Sequence, residues 1–217
     1  MRLEKMDAFF EARLDGYEAH MLTNIAGAEE FYAFTAEQLP KDAGAAVLDL
    51  GCGTGLELRW YYAANPKAKV TGIDLSAGML AALRRHYEAY APTRICGDYF
   101  SAPFGEAVFD AAVSVESLHH FTQAEKMRLY AKLHKSLRPG GYFILTDYFA
   151  LSDDEETAHR QSLLALKAEQ NLSNDAHYHY DTPLTVEHER QALLESGFRT
   201  VTVLQSWGAT YTLRAEV

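Results

Sequence analysis

Three short runs in this chain of 217 residues carry groups able to hold a ligand or move a proton. The first is Val47-Leu48-Asp49-Leu50-Gly51-Cys52-Gly53-Thr54-Gly55, a hydrophobic stretch that runs straight into a glycine-rich turn. Positions without side chains let a ligand approach the backbone closely. The second is Thr71-Gly72-Ile73-Asp74-Leu75, in which Asp74 is expected to end a strand. A carboxylate placed there can accept hydrogen bonds from both hydroxyls of a ribose. Asp49 stands two residues before Gly51, and the glycines follow as G-x-G-x-G rather than G-x-G-x-x-G. That arrangement suits a nucleoside carrying an amino-acid moiety better than one carrying a pyrophosphate.

The third run is Ser114-Val115-Glu116-Ser117-Leu118-His119-His120-Phe121. Glu116, His119 and His120 are candidate general bases or substrate anchors. Against this stand ordinary roles: a histidine packed beneath its loop, or a glutamate that caps a turn. Further candidates are more isolated. Tyr17 could lay its ring near a cationic ligand, Arg13 could hold a carboxylate, and His20 shares their helix. Tyr178 and Tyr180 lie in the ring-rich segment His177-Tyr178-His179-Tyr180-Asp181, expected to roof a site. Ligand-type residues alternate in that segment, but no other cluster in the sequence completes a metal site, so no metal is expected.

The elements that position these groups follow from periodicity. Phe10, Leu14, Tyr17 and Met21 recur at helical spacing, so a single N-terminal helix is expected from Asp7 to Met21. A second helical stretch runs from about Ala28 to Leu39. The strand AAVLDL follows, then alternating strands and helices: KVTGIDL, a helix capped by Ser76, TRICGD and FDAAVSV. Thr122 and Glu125 form a T-x-x-E capping box for a helix reaching Leu137, and Pro139-Gly140-Gly141 is expected to end it before the strand GYFILTDYF. Ser152 and Glu155 repeat the box for a helix to about Gln170. A last helix, Val186 to Ser196, ends at Gly197, and the strands TVTVLQSW and ATYTLRAEV meet as an antiparallel hairpin at Gly208. Such alternation implies an α/β fold with a mostly parallel sheet. The expected organisation is a helical cap over residues 1–44 and a core over 45–217, with 151–182 inserted as a lid.

Composition narrows the function classes. Thirty acidic against twenty basic residues leave a net charge of −10, which disfavours nucleic acid and anionic lipid as partners. Cys52 and Cys96 lack metal spacing, and no disulfide is expected. The N-terminus is charged from its second residue, and no apolar run reaches transmembrane length, so a cytoplasmic protein without membrane association is expected. Oligomeric state is not readable, a homodimer being one option.

In these motifs, taken together and in order, the stretch from Ala45 to Val217 resembles the class I methyltransferase family. The resemblance implies a Rossmann-like sheet of seven strands with a C-terminal antiparallel hairpin, helices on both faces and a helical lid. It implies S-adenosyl-L-methionine as cofactor: the Asp49, Gly51, Cys52, Gly53 and Gly55 segment cradling the methionine part, Asp74 the ribose, and Asp98 the adenine amino group. Leu75, Met79, Tyr99, Val115 and Tyr17 complete the implied cofactor contacts, and the acceptor is expected to be a small molecule with a nitrogen, sulfur or oxygen nucleophile. A tRNA methyltransferase or tRNA modifier of the same fold, and a non-catalytic cofactor-binding module, are the alternatives; a dehydrogenase is more remote.

Overall fold

The computed structural model describes residues 1–173 and 176–217; Asn174 and Asp175, in the segment leading to His177, lie outside the described residues. Three helices open the chain: α1 (Met6–Ala12), α2 (Tyr17–Asn24) and α3 (Ala28–Glu37). They lead into β1 (Ala46–Leu50), α4 (Leu58–Ala64), β2 (Lys69–Asp74), α5 (Ala77–His86) and β3 (Thr93–Cys96). Next come β4 (Phe109–Val115), α6 (Gln123–Ser136), β5 (Leu137–Tyr148), α7 (Asp153–Glu169) and α8 (Val186–Glu195), and the hairpin β6 (Thr200–Trp207) and β7 (Thr210–Glu216) closes the sheet.

The strand order is β3-β2-β1-β4-β5-β7-β6. β1 to β5 are parallel, and β7 runs antiparallel to both β5 and β6. Both faces of the central strands are covered, which is why β1 and β4 read as nearly continuous apolar runs. Leu48, Leu50, Phe143 and Leu145 pack with Leu129, Tyr130 and Leu133 of α6 and Leu193 of α8. On the opposite face Val47, Val113 and Ile144 pack with Phe31 and Tyr32 of α3, Leu58 and Tyr61 of α4, and Leu83 of α5. The chain reverses order between β1 and β4, so the carboxyl ends of β1, β2, β4 and β5 border the crevice where open α/β sheets take ligands.

Several boundary signals act as expected. Ser76 Oγ accepts from Met79 N at the start of α5, and both halves of the Thr122/Glu125 capping box are present. Gly197 and Gly208 both have positive φ, 112° and 62°. At α7 the box is displaced: Ser152 Oγ accepts from Glu155 N, but the Glu155 carboxylate reaches back to Leu151 N.

Two expectations are corrected. The N-terminal helix is two helices, broken over residues 13–16, with Gly16 at φ −158° and ψ −2°. A glycine inside a helix costs about 1 kcal/mol, and here the two halves follow different partners, α1 packing on α5 and α2 on α3. The second correction concerns Pro139-Gly140-Gly141, which does not separate helix from strand. β5 has already begun at Leu137, opposite Phe109, and residues 138–141 bulge out before Tyr142 pairs with Ala111. Arg138 holds the bulge through Asp110 at 2.5 Å, and Asp110 also accepts from Ala46 N.

Candidate active site

The glycine-rich turn after β1 is shaped by what approaches it. Gly51 has φ +71°, and a β-carbon there would lie 2.1 Å from Ser117 Oγ. Gly53 has φ +50° and sits beneath the Tyr17 ring, its nearest approach to the phenol oxygen being 3.6 Å from a notional β-carbon. Asp74 lies across from them. One carboxylate oxygen accepts from Gly53 N at 2.9 Å and the other from Ser76 N at 2.8 Å. A carboxylate has about four acceptor positions, so the outward lone pairs stay free for a diol. Burial pushes the Asp74 carboxyl up, opposed by the Ser76 and Gly53 N–H groups. Leu75, Met79 and Tyr99 complete a narrow crevice with these residues.

A recess of about 750 Å³ adjoins the crevice, within the ~300–1,000 Å³ range of small-molecule sites. The two share a wall made by Phe10, Tyr17, Glu116 and His120. On one side the recess is apolar, with Phe9, Phe10, Met21 and Ile25. On the other it is densely titratable. Glu116 has φ +49°, a conformation that costs a non-glycine residue of order 1–3 kcal/mol. It is held by its N–H to the Thr146 carbonyl and by Thr210 Oγ1, which donates to its carboxylate at 3.2 Å. Burial and then the charge of Asp147 push the Glu116 carboxyl up to about 7.

His119 and His120 sit on a 3-10 turn, Leu118–His120, directly after β4. Asp147, buried at the end of β5, receives His119 Nδ1 at 2.5 Å on one oxygen and Leu118 N at 2.8 Å on the other. Burial opposes charge on His119, but Asp147 and Asp181 raise it to about 9. His120 is lowered, by burial and by His119. Asp181 Oδ1 lies 3.2 Å from His120 Nδ1 and 3.6 Å from His119 Nε2. Against its own desolvation, these imidazoles hold the Asp181 carboxyl well below the usual carboxylate range.

The roof is a stack. The Arg13 guanidinium lies 3.7 Å over the Phe9 ring, and Phe9 stacks on His179 at 3.4 Å. Burial and the neighbouring His120 lower His179 to about 4, leaving it neutral beneath the Arg13–Phe9 pair. Backbone bonds lace the two roof segments: Met6 N to His177 O and His179 N to Glu4 O. Glu11 of α1 accepts from Ser76 Oγ at 2.6 Å and from Gly78 N, fastening the roof to the start of α5.

Residues 47–141 match the family described as "Methyltransferase domain". The order of the sheet, with its reversed last strand, is that of the class I members. Residues 47–141 are thus a methyltransferase domain, set in a sheet of the class I type. An uncharacterized methyltransferase of Synechocystis is 35% identical over 57% of this chain and 57% of its own length. A fatty-acid O-methyltransferase of Mycolicibacterium smegmatis is 32% identical over 54% of this chain and 42% of its own. The chain thus spans about half the length of these curated relatives. Phosphoethanolamine N-methyltransferase 2 of Haemonchus contortus, solved with S-adenosyl-L-methionine, superposes with a TM-score of 0.68 at 20% identity, over 91% of this chain and 45% of that one.

Within this methyltransferase fold the sequence candidates separate. Tyr17, Gly51, Gly53, Asp74, Leu75, Met79 and Tyr99 line the crevice. Asp49, Cys52, Gly55, Asp98 and Val115 do not. Asp49 is buried against Glu57, and burial followed by that neighbour raises its pKa. Cys52 Sγ points at Gly72, and Gly55 is crowded by Leu83, Tyr87 and Leu58. Asp98 turns back to accept from Phe100 N. Val115 is buried in β4.

Glu116, His119, His120, Arg13 and His20 all reach the recess, but Arg13 is already bound to Glu4 at 2.9 Å and is not a free anchor. Tyr178 and Tyr180 do not line the recess; His179 and Asp181 do. The bridge between Lys5 and Tyr178 sets that alternation, and Tyr178 lies instead beside Lys167. Asp147 and Tyr148 were absent from the sequence candidates, and Asp181 entered only as one of the alternating ligand-type residues of its segment. Only the position of Asp147, an acid at the carboxyl end of a strand beside β4, could have flagged it.

Proposed function

We propose that this chain transfers the methyl group of S-adenosyl-L-methionine to a nitrogen, sulfur or oxygen of a small molecule seated in the recess. The observation that carries this reading is the shared wall: the crevice holding Asp74 and the glycine turn opens onto the recess at Glu116, His120, Phe10 and Tyr17. The donor chemistry also fits. Asp74 keeps lone pairs for the ribose hydroxyls, and Gly51 and Gly53 leave a cradle free of side chains. When bound, the cofactor supplies an electrophilic methyl carried on a sulfonium. The Tyr17 ring borders the junction and favours a cation beside it, while Phe9, Phe10, Met21 and Ile25 exclude competing water. Glu116 is placed to accept the proton that a hydroxyl or ammonium acceptor must lose.

The fatty-acid O-methyltransferase relative supports a small apolar acceptor with a polar end, in keeping with a recess apolar on one side and titratable on the other. The net charge of −10 argues against tRNA. The cap expected over 1–44 and the lid expected over 151–182 are supported by α1, α2, His179 and Asp181, which border the recess, whereas α3 packs on the sheet. No helix among the described residues is long and apolar enough to cross a membrane. Our reading includes a cytoplasmic setting, consistent with two free thiols at Cys52 and Cys96.

Calorimetry with S-adenosylhomocysteine tests the cofactor site. Asp74→Ala should weaken binding by roughly 100-fold or more, since bonds to a charged group contribute about 1.5–3 kcal/mol each. Unchanged affinity would remove the ribose assignment. With an acceptor found from a panel of apolar alcohols, amines and thiols, Glu116→Gln should lower kcat by about 10²-fold or more while leaving S-adenosylhomocysteine affinity intact. An unaltered kcat would exclude Glu116 as the base.

A further inference from the structure

We infer that His119, His120 and Asp181 form a binding site for a first-row transition-metal dication on the wall of the recess. The three residues come from two separate segments, the turn after β4 and the roof segment before α8, and one donor atom from each lies within 4.8 Å of the others. Asp181 Oδ1 is 3.2 Å from His120 Nδ1 and 3.6 Å from His119 Nε2. The longer separation exceeds a hydrogen bond. Two donors each about 2.1 Å from a common ion stand that far apart at angles of roughly 100–120°, close to tetrahedral.

The surroundings of His119 fit the same reading. Asp147 takes its Nδ1 at 2.5 Å, so Nε2 is the nitrogen turned towards Asp181. A carboxylate on the far nitrogen is the usual support of a metal-bound imidazole, fixing tautomer and ring orientation. Asp147 is itself fixed by Leu118 N and Tyr148 N. Those contacts also argue against an alternative grouping of Glu116, His119 and Asp147, because Asp147 already accepts three hydrogen bonds and takes the nitrogen of His119 that the ion would need. The Tyr180 carbonyl, 3.2 Å from His120 Nδ1, offers a further oxygen nearby.

The imidazoles are buried, with side-chain exposures of 9% and 4%, whereas Asp181 is 46% exposed, so an ion has a path in and an open position towards the recess. Two imidazoles and one carboxylate suit zinc, iron, cobalt or nickel better than magnesium or calcium. The site does not depend on the methyl-transfer reading. If that reading holds as well, the open position is where an acceptor heteroatom would meet the ion.

The test is a cobalt(II) titration of the tag-free, EDTA-treated full chain, followed by visible absorption. One equivalent should bind and produce the d–d bands of a four- or five-coordinate site, and zinc should displace it. Asp181→Asn and His119→Gln should each weaken binding at least tenfold. Asp147→Asn, which acts through His119, should weaken it by about 10–100-fold. Absence of cobalt bands up to millimolar concentration, or equal bands in Asp181→Asn, would overturn the proposal. If His119→Gln fails to melt cooperatively, Asp181→Asn decides, its side chain being half-exposed. S-adenosylhomocysteine calorimetry on the metal-free chain reads the cofactor site separately, so failure of one reading is not mistaken for failure of the other.

Discussion

At Gly51 the backbone and its neighbour impose the same residue for independent reasons. The left-handed φ of +71° strains any side chain, and a β-carbon would meet Ser117 Oγ at 2.1 Å. Gly51→Ala should therefore cost about 2 kcal/mol or more in stability, and should abolish S-adenosylhomocysteine binding even at temperatures where the variant is folded. Thermal melting and calorimetry read the two effects; a variant with wild-type values in both would show that the cradle is not as tight as described. Glycine spacing and one acid were enough to mark the crevice, since Gly51, Gly53 and Asp74 all line it. Asp49 and Asp98 do not line it: Asp49, inside β1, is buried against Glu57, and a carboxylate in a turn can face a ligand or fold back on its own chain, as Asp98 does to Phe100 N. Sequence order is the same in both cases.

Among the elements, α7 illustrates how lightly one helix can be fastened. Glu156 is its one buried residue. It accepts from Thr185 N at 2.8 Å and faces His188 Nδ1 at 2.8 Å, with Asp153 and Glu187 near the same ring. The bond to Glu156 raises the His188 pKa. A raised folded-state value means the contribution is complete below the unfolded pKa of about 6.5 and fades as pH rises through the folded one. The difference in melting temperature between the wild type and His188→Ala should accordingly be larger at pH 6 than at pH 9; an equal or inverted difference would separate His188 from the clasp. Most helices and strands were readable here, because Ser76, the Thr122/Glu125 box and Gly197 act locally. The break at Gly16 and the early start of β5 were not. Each is decided by a distant partner, α5 and α3 for the first and Phe109 for the second.

For the whole molecule, the layer joining α6 to α8 rests on a buried ion pair. Lys126 Nζ lies 2.6 Å from Glu189 Oε2, both side chains nearly inaccessible, and Tyr130 donates to the other Glu189 oxygen. Glu189→Ala should destabilise the chain by about 3–5 kcal/mol in denaturant unfolding, whereas replacing Lys126 and Glu189 together by Met and Leu should recover most of that loss. A double variant as unstable as the single one would mean that packing, not the stranded charge, sets the cost. The metal-ligand candidates are likewise a whole-molecule property: His119 and Asp181 are 62 residues apart in sequence, and no local pattern announces their meeting. A short link between the crevice and its roof is the run from Asp74 to Ser76. Asp74 accepts from the Ser76 amide, and the Ser76 hydroxyl grips Glu11 of α1. The proposed seat of a sugar and the latch of the cover are therefore two residues apart on one piece of backbone, so a shift of either is passed to the other through a single short turn.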